Sequence, residues 1–188
     1  MRRLSVFNAV SLDGYFVDSK GNMSWAHAGQ DDPEWQAFSA ENAGGSGVLV
    51  FGRITYELMA SYWPTPMASQ NNPAVAEGMN RMPKVVFSRT LDKVSWSNTK
   101  LVKSNMAAEI RKMKNEPGPD LVILGSGSIV AQLSQEGLID DYQIALKPVA
   151  LGGGRTMFEG MKEKLNLKPT KTRAFGNGTV MLWYEPAR

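Results

Sequence analysis

Val48-Leu49-Val50-Phe51-Gly52-Arg53-Ile54-Thr55 is a short apolar, β-branched run that breaks abruptly into glycine, arginine and a hydroxyl. Two further stretches repeat the design. Val85-Val86-Phe87 passes into Ser88-Arg89-Thr90, and Leu121-Val122-Ile123-Leu124 passes into Gly125-Ser126-Gly127-Ser128. Apolar runs of this length, bounded by Gly, Ser and charge, read as parallel strands buried on both faces. Ligands of open α/β sheets sit at the carboxyl ends of such strands. Three polar strand ends on one edge suit an extended anion such as a dinucleotide.

The rest of the chain supplies the connecting helices. Asp31-Asp32-Pro33 is a helix start, with an acidic N-cap and Pro at the first helical position. Trp35, Phe38 and Ala43 share a stripe of that helix, and Gly44, Gly45 and Gly47 end it. A second helix follows Gly52-Arg53. Residues 62–73, with Pro64, Pro66 and Pro73, read as a loop, and 74–79 as a short helix. Residues 105–114 and the segment after Gly127 are helical in period. Leu4 to Val10 reads as the first strand, Leu101-Val102 as a brief one and 141–149 as a late one. Residues 15–30 read as an irregular binding loop. At the far end, 168–175 and 179–184 flank Gly176-Asn177-Gly178, a strong hairpin signal. The order is βαβαβαβ closed by antiparallel strands, an α/β fold in one domain spanning 1–188.

Composition narrows the function. The chain has 188 residues, 43% of them hydrophobic and 21% charged, which is ordinary for a soluble domain. It has no cysteine, which excludes disulfides and thiolate metal sites. No apolar run reaches membrane-spanning length and no signal peptide is legible, so the expected location is the cytoplasm. The net charge of +3 is small and its basic residues are scattered. A nucleic-acid footprint is denser, whereas a mild positive balance suits a small anion.

Each turn has its own chemistry. In Gly52-Arg53-Ile54-Thr55 the glycine permits close backbone approach, the helix start offers free N–H groups, and Arg53 and Thr55 add a donor fork and a hydroxyl. A plain strand-to-helix turn with a surface Arg satisfies the same residues. Ser88-Arg89-Thr90 suits a terminal phosphate such as the one that separates NADP from NAD, and equally an ordinary polar turn. Gly125-Ser126-Gly127-Ser128 makes an anion nest at a helix start. It lacks the third glycine of the G-x-G-x-x-G pattern and falls on a late strand, which argues against a Rossmann fold proper.

The ordered motifs carry a resemblance. Ser11-Leu12-Asp13-Gly14-Tyr15, Gly52-Arg53-x-Thr55-Tyr56-Glu57, Phe87-Ser88-Arg89-Thr90-Leu91, Gly125-Ser126-Gly127, Gly137-Leu138-Ile139-Asp140-Asp141-Tyr142 and Pro148-Val149-x-Leu151-Gly152-Gly153-Gly154 follow one another along nearly the whole chain. This resembles the dihydrofolate-reductase-like superfamily, in the group similar to the C-terminal reductase domain of the bifunctional riboflavin-biosynthesis deaminase/reductase. The resemblance implies a three-layer fold, with a mostly parallel central sheet and an antiparallel C-terminal hairpin. It also implies NADPH as cofactor and a homodimer. Phosphate-holding roles carry over to Gly52, Arg53, Thr55, Ser88 and Arg89. Gly125, Ser126, Gly127, Ser128 and Ile129 inherit the pyrophosphate and nicotinamide side, and Ala9 and Val10 the nicotinamide wall. The deaminase domain and its zinc-ligand pattern are missing.

Dihydrofolate reductases carry an acid three residues before a Trp on the helix after the first long loop. Asp32 and Trp35 have that spacing, which makes Asp32 the candidate proton source for hydride transfer, although its position before Pro33 also suits a plain N-cap. Asp13 reads as closing the turn into Gly14, and Glu34 as a first-turn acid. His27 lies in the loop that would cover the pocket. Trp25 and Trp63 are candidates to stack on a flat ring or simply to pack. The function expected is an NADPH-dependent reductase of a small pteridine- or pyrimidine-like heterocycle. The alternative is a nucleotide-binding module without chemistry.

Overall fold

The computed structural model describes residues 1–187. Eight strands form one sheet. They are β1 (Leu4–Ser11), β3 (Val48–Gly52), β4 (Lys84–Phe87), β5 (Thr99–Val102), β6 (Leu121–Leu124), β7 (Asp141–Lys147), β9 (Leu167–Ala174) and β10 (Val180–Pro186). Their order is β5-β4-β3-β6-β1-β7-β10-β9. The first six in that order run parallel, and β10 and β9 close the sheet antiparallel. The mostly parallel sheet and its antiparallel ending match the expected α/β architecture.

Alternation sends each strand to two cores. Leu4, Val6, Val48, Val50, Leu121 and Ile123 share one face. There they meet Ile110 and Met113 of α5 (Met106–Asn115) and Ile129, Val130 and Leu133 of α6 (Gly127–Gln135). Leu49, Phe51 and Val86 point the other way, onto Tyr56 of α2 (Arg53–Tyr62) and Met79 of α4 (Pro73–Arg81). On that same side, Phe7 and Ala9 join Ala145 and Met181 beneath Trp35 and Phe38 of α1 (Pro33–Gly44). Burial on both faces explains the unbroken apolar runs.

Helices α1 and α4 touch closely: a Cβ on Gly78 would stand 2.1 Å from the Ala43 carbonyl oxygen. The crossing thus needs glycine for space.

Three segments depart from the sequence reading. Residues 62–73 hold a helix, α3 (Pro66–Asn71), capped by Thr65, whose hydroxyl accepts from Ala68 N at 3.3 Å. Pro66 and Pro73 each stand at a first helical position, where a missing N–H costs nothing, so they start helices rather than break them. The 15–30 segment is more ordered than expected. It contains β2 (Tyr15–Asp18), which pairs with β8 (Gly154–Thr156), and a 3-10 turn over Ser24–His27. The late strand stops at Lys147, two residues before the expected end.

Candidate functional site

Because β4, β3 and β6 are neighbours and parallel, their carboxyl ends lie side by side. The structure therefore brings the three predicted turns together. It also sorts their residues into two groups.

The first group faces inward and locks the turns after β3 and β6 to each other. Gly52 N donates to Ser126 Oγ at 2.7 Å. Ser126 N and Ser126 Oγ both donate to Thr55 Oγ1 at 3.0 Å. Gly125 N donates to Asn8 Oδ1 at 2.7 Å. Thr55, Ser126 and Asn8 are buried. Gly125 and Ser126 both adopt the left-handed conformation, with φ of +66° and 56°. For Ser126 that conformation is uncommon, and the lock holds it. The anion nest expected at Gly125-Ser126 thus differs from the reading: its first two N–H groups are already used by Asn8 and Thr55.

The second group faces outward. Gly127 and Ser128 open α6, where first-turn N–H groups have no helical acceptor. Arg53 opens α2, is exposed and reaches Glu57 at 3.1 Å, a surface pair of small worth. Ser88 Oγ accepts from Thr90 N and Leu91 N at 3.2 and 3.1 Å, shaping the third turn. Arg89 is exposed and, among the described residues, has no hydrogen-bond or ion-pair partner. Ile129 is different: its side chain belongs to the core.

A cleft of about 570 Å³ runs beside two of these turns, those after β3 and β6. It lies between α1 and the α2–α4 side, over β6, β1 and β7. Thr55 and Gly125 line it, so it is continuous with the strand-end turns; Ala9, Trp35, Trp63 and Lys147 line it too. Ala9 is therefore on the cleft side of the sheet. Val10 points to the opposite face and packs on the core there, because adjacent strand positions alternate.

Asp32 does not line the cleft. Its Oδ1 accepts from Trp35 N at 2.8 Å, capping α1, and its Oδ2 sits against Gly176. The helix start has taken the carboxylate, so Asp32 is placed as a cap and not as an acid facing a substrate. His27 does line the cleft. Its Nδ1 accepts from Gln30 Nε2 at 2.7 Å, and burial together with the charge of Lys147 holds the imidazole below its ordinary pKa.

Asp13 does more than close its own turn. It accepts from Ser11 Oγ at 2.6 Å, from Leu151 N at 3.0 Å and from Gly152 N at 2.7 Å, tying the β1 turn to the glycine-rich loop after β7. These donors pull its pKa down to about 2, from an ordinary 3.8. A depressed carboxylate stabilises the fold above its unfolded pKa and loses that contribution as pH falls through the folded one. The thermal midpoint of the wild type is therefore expected to exceed that of Asp13→Asn above about pH 4, with the gap closing toward about pH 2. A gap independent of pH would contradict the tie.

Two residues at this site went unnoticed in the sequence: Asn8 and Lys147. Both are polar residues at positions that the strand alternation makes inward-facing, and that mismatch was the available signal.

The comparisons with known proteins follow the same geometry. The model of the RibD C-terminal domain family matches residues 2–181. Two Bacillus subtilis (strain 168) proteins, both uncharacterized, match along nearly their whole length. YyaP is 28% identical over 183 residues, covering 97% of this chain and 94% of its own. YwjB is 25% identical over 185 residues, covering 97% of each. Among solved structures, one from Shewanella sp. PV-4, named for riboflavin biosynthesis, superposes with a TM-score of 0.72 at 24% identity over 99% of both chains. A pyrimidine reductase-like protein from Corynebacterium diphtheriae superposes with a TM-score of 0.65 at 12% identity, over 100% of this chain and 92% of its own. At these identities the structural likeness concerns the fold.

Proposed function

This chain belongs to the RibD C-terminal domain family, and from that premise we propose that it is an NADPH-dependent reductase acting on a small pteridine- or pyrimidine-like heterocycle. One observation carries the reading: three adjacent parallel strands end in donor-rich turns, and two of these turns, through Thr55 and Gly125, reach a largely apolar cleft. The donor set fits a dinucleotide phosphate. The three turns contain no acidic residue, and they offer two guanidinium groups and two helix starts. Arg53 and the free N–H groups of Gly127 and Ser128 would hold the pyrophosphate. Ser88 and Arg89 would hold the extra phosphate of NADPH. Gly52, Thr55, Gly125 and Ser126 set the shape of the turns from behind. NADPH, when bound, supplies a hydride. The chain's part is to hold a flat acceptor in the cleft against Ala9 and to keep water out with Trp35 and Trp63.

A non-catalytic NADPH-binding module shares the grip, and the placement of Asp32 outside the cleft favours that second reading. Turnover separates the two. Loss of NADPH absorbance with an aminouracil or a dihydropterin is expected for the reductase, and binding without oxidation across such acceptors would leave the module.

Arg89 gives the specificity test. A charge-assisted hydrogen bond is worth about 1.5–3 kcal/mol, so Arg89→Ala is expected to weaken NADPH about 10- to 100-fold and NADH little. Equal losses for the two coenzymes would show that Arg89 does not read the extra phosphate.

A further inference from the structure

Three lysines are buried in this protein, and they are not alike. Lys84 Nζ donates to the carbonyls of Asn80, Met82 and Ser97 at 3.2, 2.7 and 3.2 Å, which satisfies all three of its protons. Lys114 Nζ meets the Asp140 carboxylate at 2.5 Å and the Leu138 carbonyl at 2.8 Å. Both are accounted for by the fold. Lys147 is the exception. It is 2% exposed, and its one hydrogen bond goes to a neutral hydroxyl, Thr179 Oγ1 at 3.1 Å. Its Nζ lies 4.3 Å from the centroid of the Trp35 ring. Among the described residues no carboxylate is within ion-pair distance of it.

A buried cation with unused protons is expensive for a fold. The stacking on Trp35 does not explain it, because Lys84 has the same stacking at 4.3 Å on Trp96 and still has a full set of acceptors. Lys147 also lines the cleft. It sits at the carboxyl end of β7, on the same face as Ala145, one pleat beyond the Ala9–Ala145 pair that floors the cleft. His27 also lines the cleft and feels the charge of Lys147, but an imidazole carries no negative charge in either protonation state and so offers no counter-charge. Burial lowers the Lys147 pKa, which makes its ammonium a better proton donor than a solvated lysine.

Resting on the reductase reading above, we propose that Lys147 is the acid of this site: its ammonium holds the carbonyl or imine heteroatom of the substrate and protonates it during reduction. The substrate class follows as a flat ring bearing C=O or C=N at the edge that enters the cleft first. The step balances. The substrate carbon accepts a hydride, its π pair moves onto the heteroatom, and the heteroatom takes one Nζ proton. Lys147 is left as a neutral amine and regains a proton from solvent. Net, one hydride, which bound NADPH would supply, and one proton are added across the double bond. Thr179 and Trp35 are positioning residues, holding Nζ in place.

The test uses the full chain loaded with NADPH, with aminouracil and dihydropterin as probes, and the variants Lys147→Met and Lys147→Arg. Methionine keeps the apolar stem on Trp35, and arginine keeps the charge but does not release a proton. NADPH affinity by calorimetry is expected to stay within about twofold in both variants. Turnover is expected to fall about 100- to 10,000-fold in Lys147→Met, the span of general acid catalysis. Lys147→Arg is expected to keep KM near the wild-type value while kcat stays low. For a probe that binds without turnover, Lys147→Met is expected to lose its affinity at least about tenfold, as a lost hydrogen bond to a charged group predicts. Turnover or probe affinity within threefold of the wild type in Lys147→Met overturns the assignment. So does failure of both probes to bind the NADPH-loaded wild type. Failure of the wild type to bind NADPH at all overturns instead the reading on which it rests.

Discussion

The Gly125→Ala protein is expected to melt about 6–12 °C below the wild type and to lose most of its affinity for NADPH. A Cβ at this position would stand 2.5 Å from Thr55 Cγ2 and 2.9 Å from Thr55 Oγ1. The backbone there has φ of +66°, a conformation that costs an L-residue about 1–2 kcal/mol before any clash is counted. To relieve the clash Thr55 must move, and its hydroxyl is the acceptor for both Ser126 N and Ser126 Oγ. Each buried polar group left unpaired costs about 1–3 kcal/mol. The sum is about 3 kcal/mol or more, and each kcal/mol moves the midpoint of a chain this size by about 2–4 °C. Affinity falls because the lock joins two of the three turns: when Ser126 shifts, the start of α6 shifts with it. Combining Gly125→Ala with Thr55→Ser removes the clashing methyl group and is expected to restore part of the loss. A Gly125→Ala protein with wild-type midpoint and affinity would show that the lock has no role in the grip.

Gly78→Ala is expected to destabilise the fold by about 2–3 kcal/mol, read as a lower urea midpoint at unchanged slope. The sign is the informative part. Ala is the better helix former by about 1 kcal/mol, so on propensity alone this substitution inside α4 would stabilise. Its Cβ, however, would meet the Ala43 carbonyl oxygen at 2.1 Å and the carbonyl carbon at 2.8 Å. These are helix backbone atoms and have little freedom to yield. Separating α4 from α1 loosens two cores at once, since α4 carries Met79 into the Leu49–Phe51 cluster and α1 carries Trp35 and Phe38 onto the hairpin. It also widens the cleft between them. A variant as stable as the wild type, or more so, would mean that the two helices are not in contact as described.

Much of the architecture was legible in the residues themselves. The three apolar runs became β3, β4 and β6, and Gly176-Asn177-Gly178 became the turn between β9 and β10, because in each case local pattern and buried environment agree. Pro66 and Pro73 misled, since proline terminates one helix and starts another by the same missing N–H; at Pro66 the Thr65 cap tells the two apart, and at Pro73 no side-chain cap does. The short β2–β8 pair was hidden because strands of four and three residues are too short to leave a periodic trace.

The candidate site was legible in outline and not in detail. That three turns would share an edge followed from parallel strands. Which of their groups face outward did not, because it depends on contacts between turns some 70 residues apart in sequence, such as Gly52 with Ser126. The choice of Asp32 as acid rested on spacing to Trp35. The spacing is real, but the carboxylate is directed at the N–H of Trp35 and not at the cleft. Lys147 is easily passed over because charge at a strand end usually means solvent; its inward-facing register was the one signal in the sequence, and the packing of Trp35 and Thr179 around it places a buried ammonium there.

Calorimetric titration of the wild-type chain with NADPH tests the common premise of all these expectations. The arrangement of Arg53, Arg89 and the opening turns of α2 and α6 predicts saturable binding at one site per chain, with NADH binding more weakly. No heat of binding and no rise in thermal midpoint at millimolar NADPH would contradict it, and the three strand ends would then be ordinary polar turns.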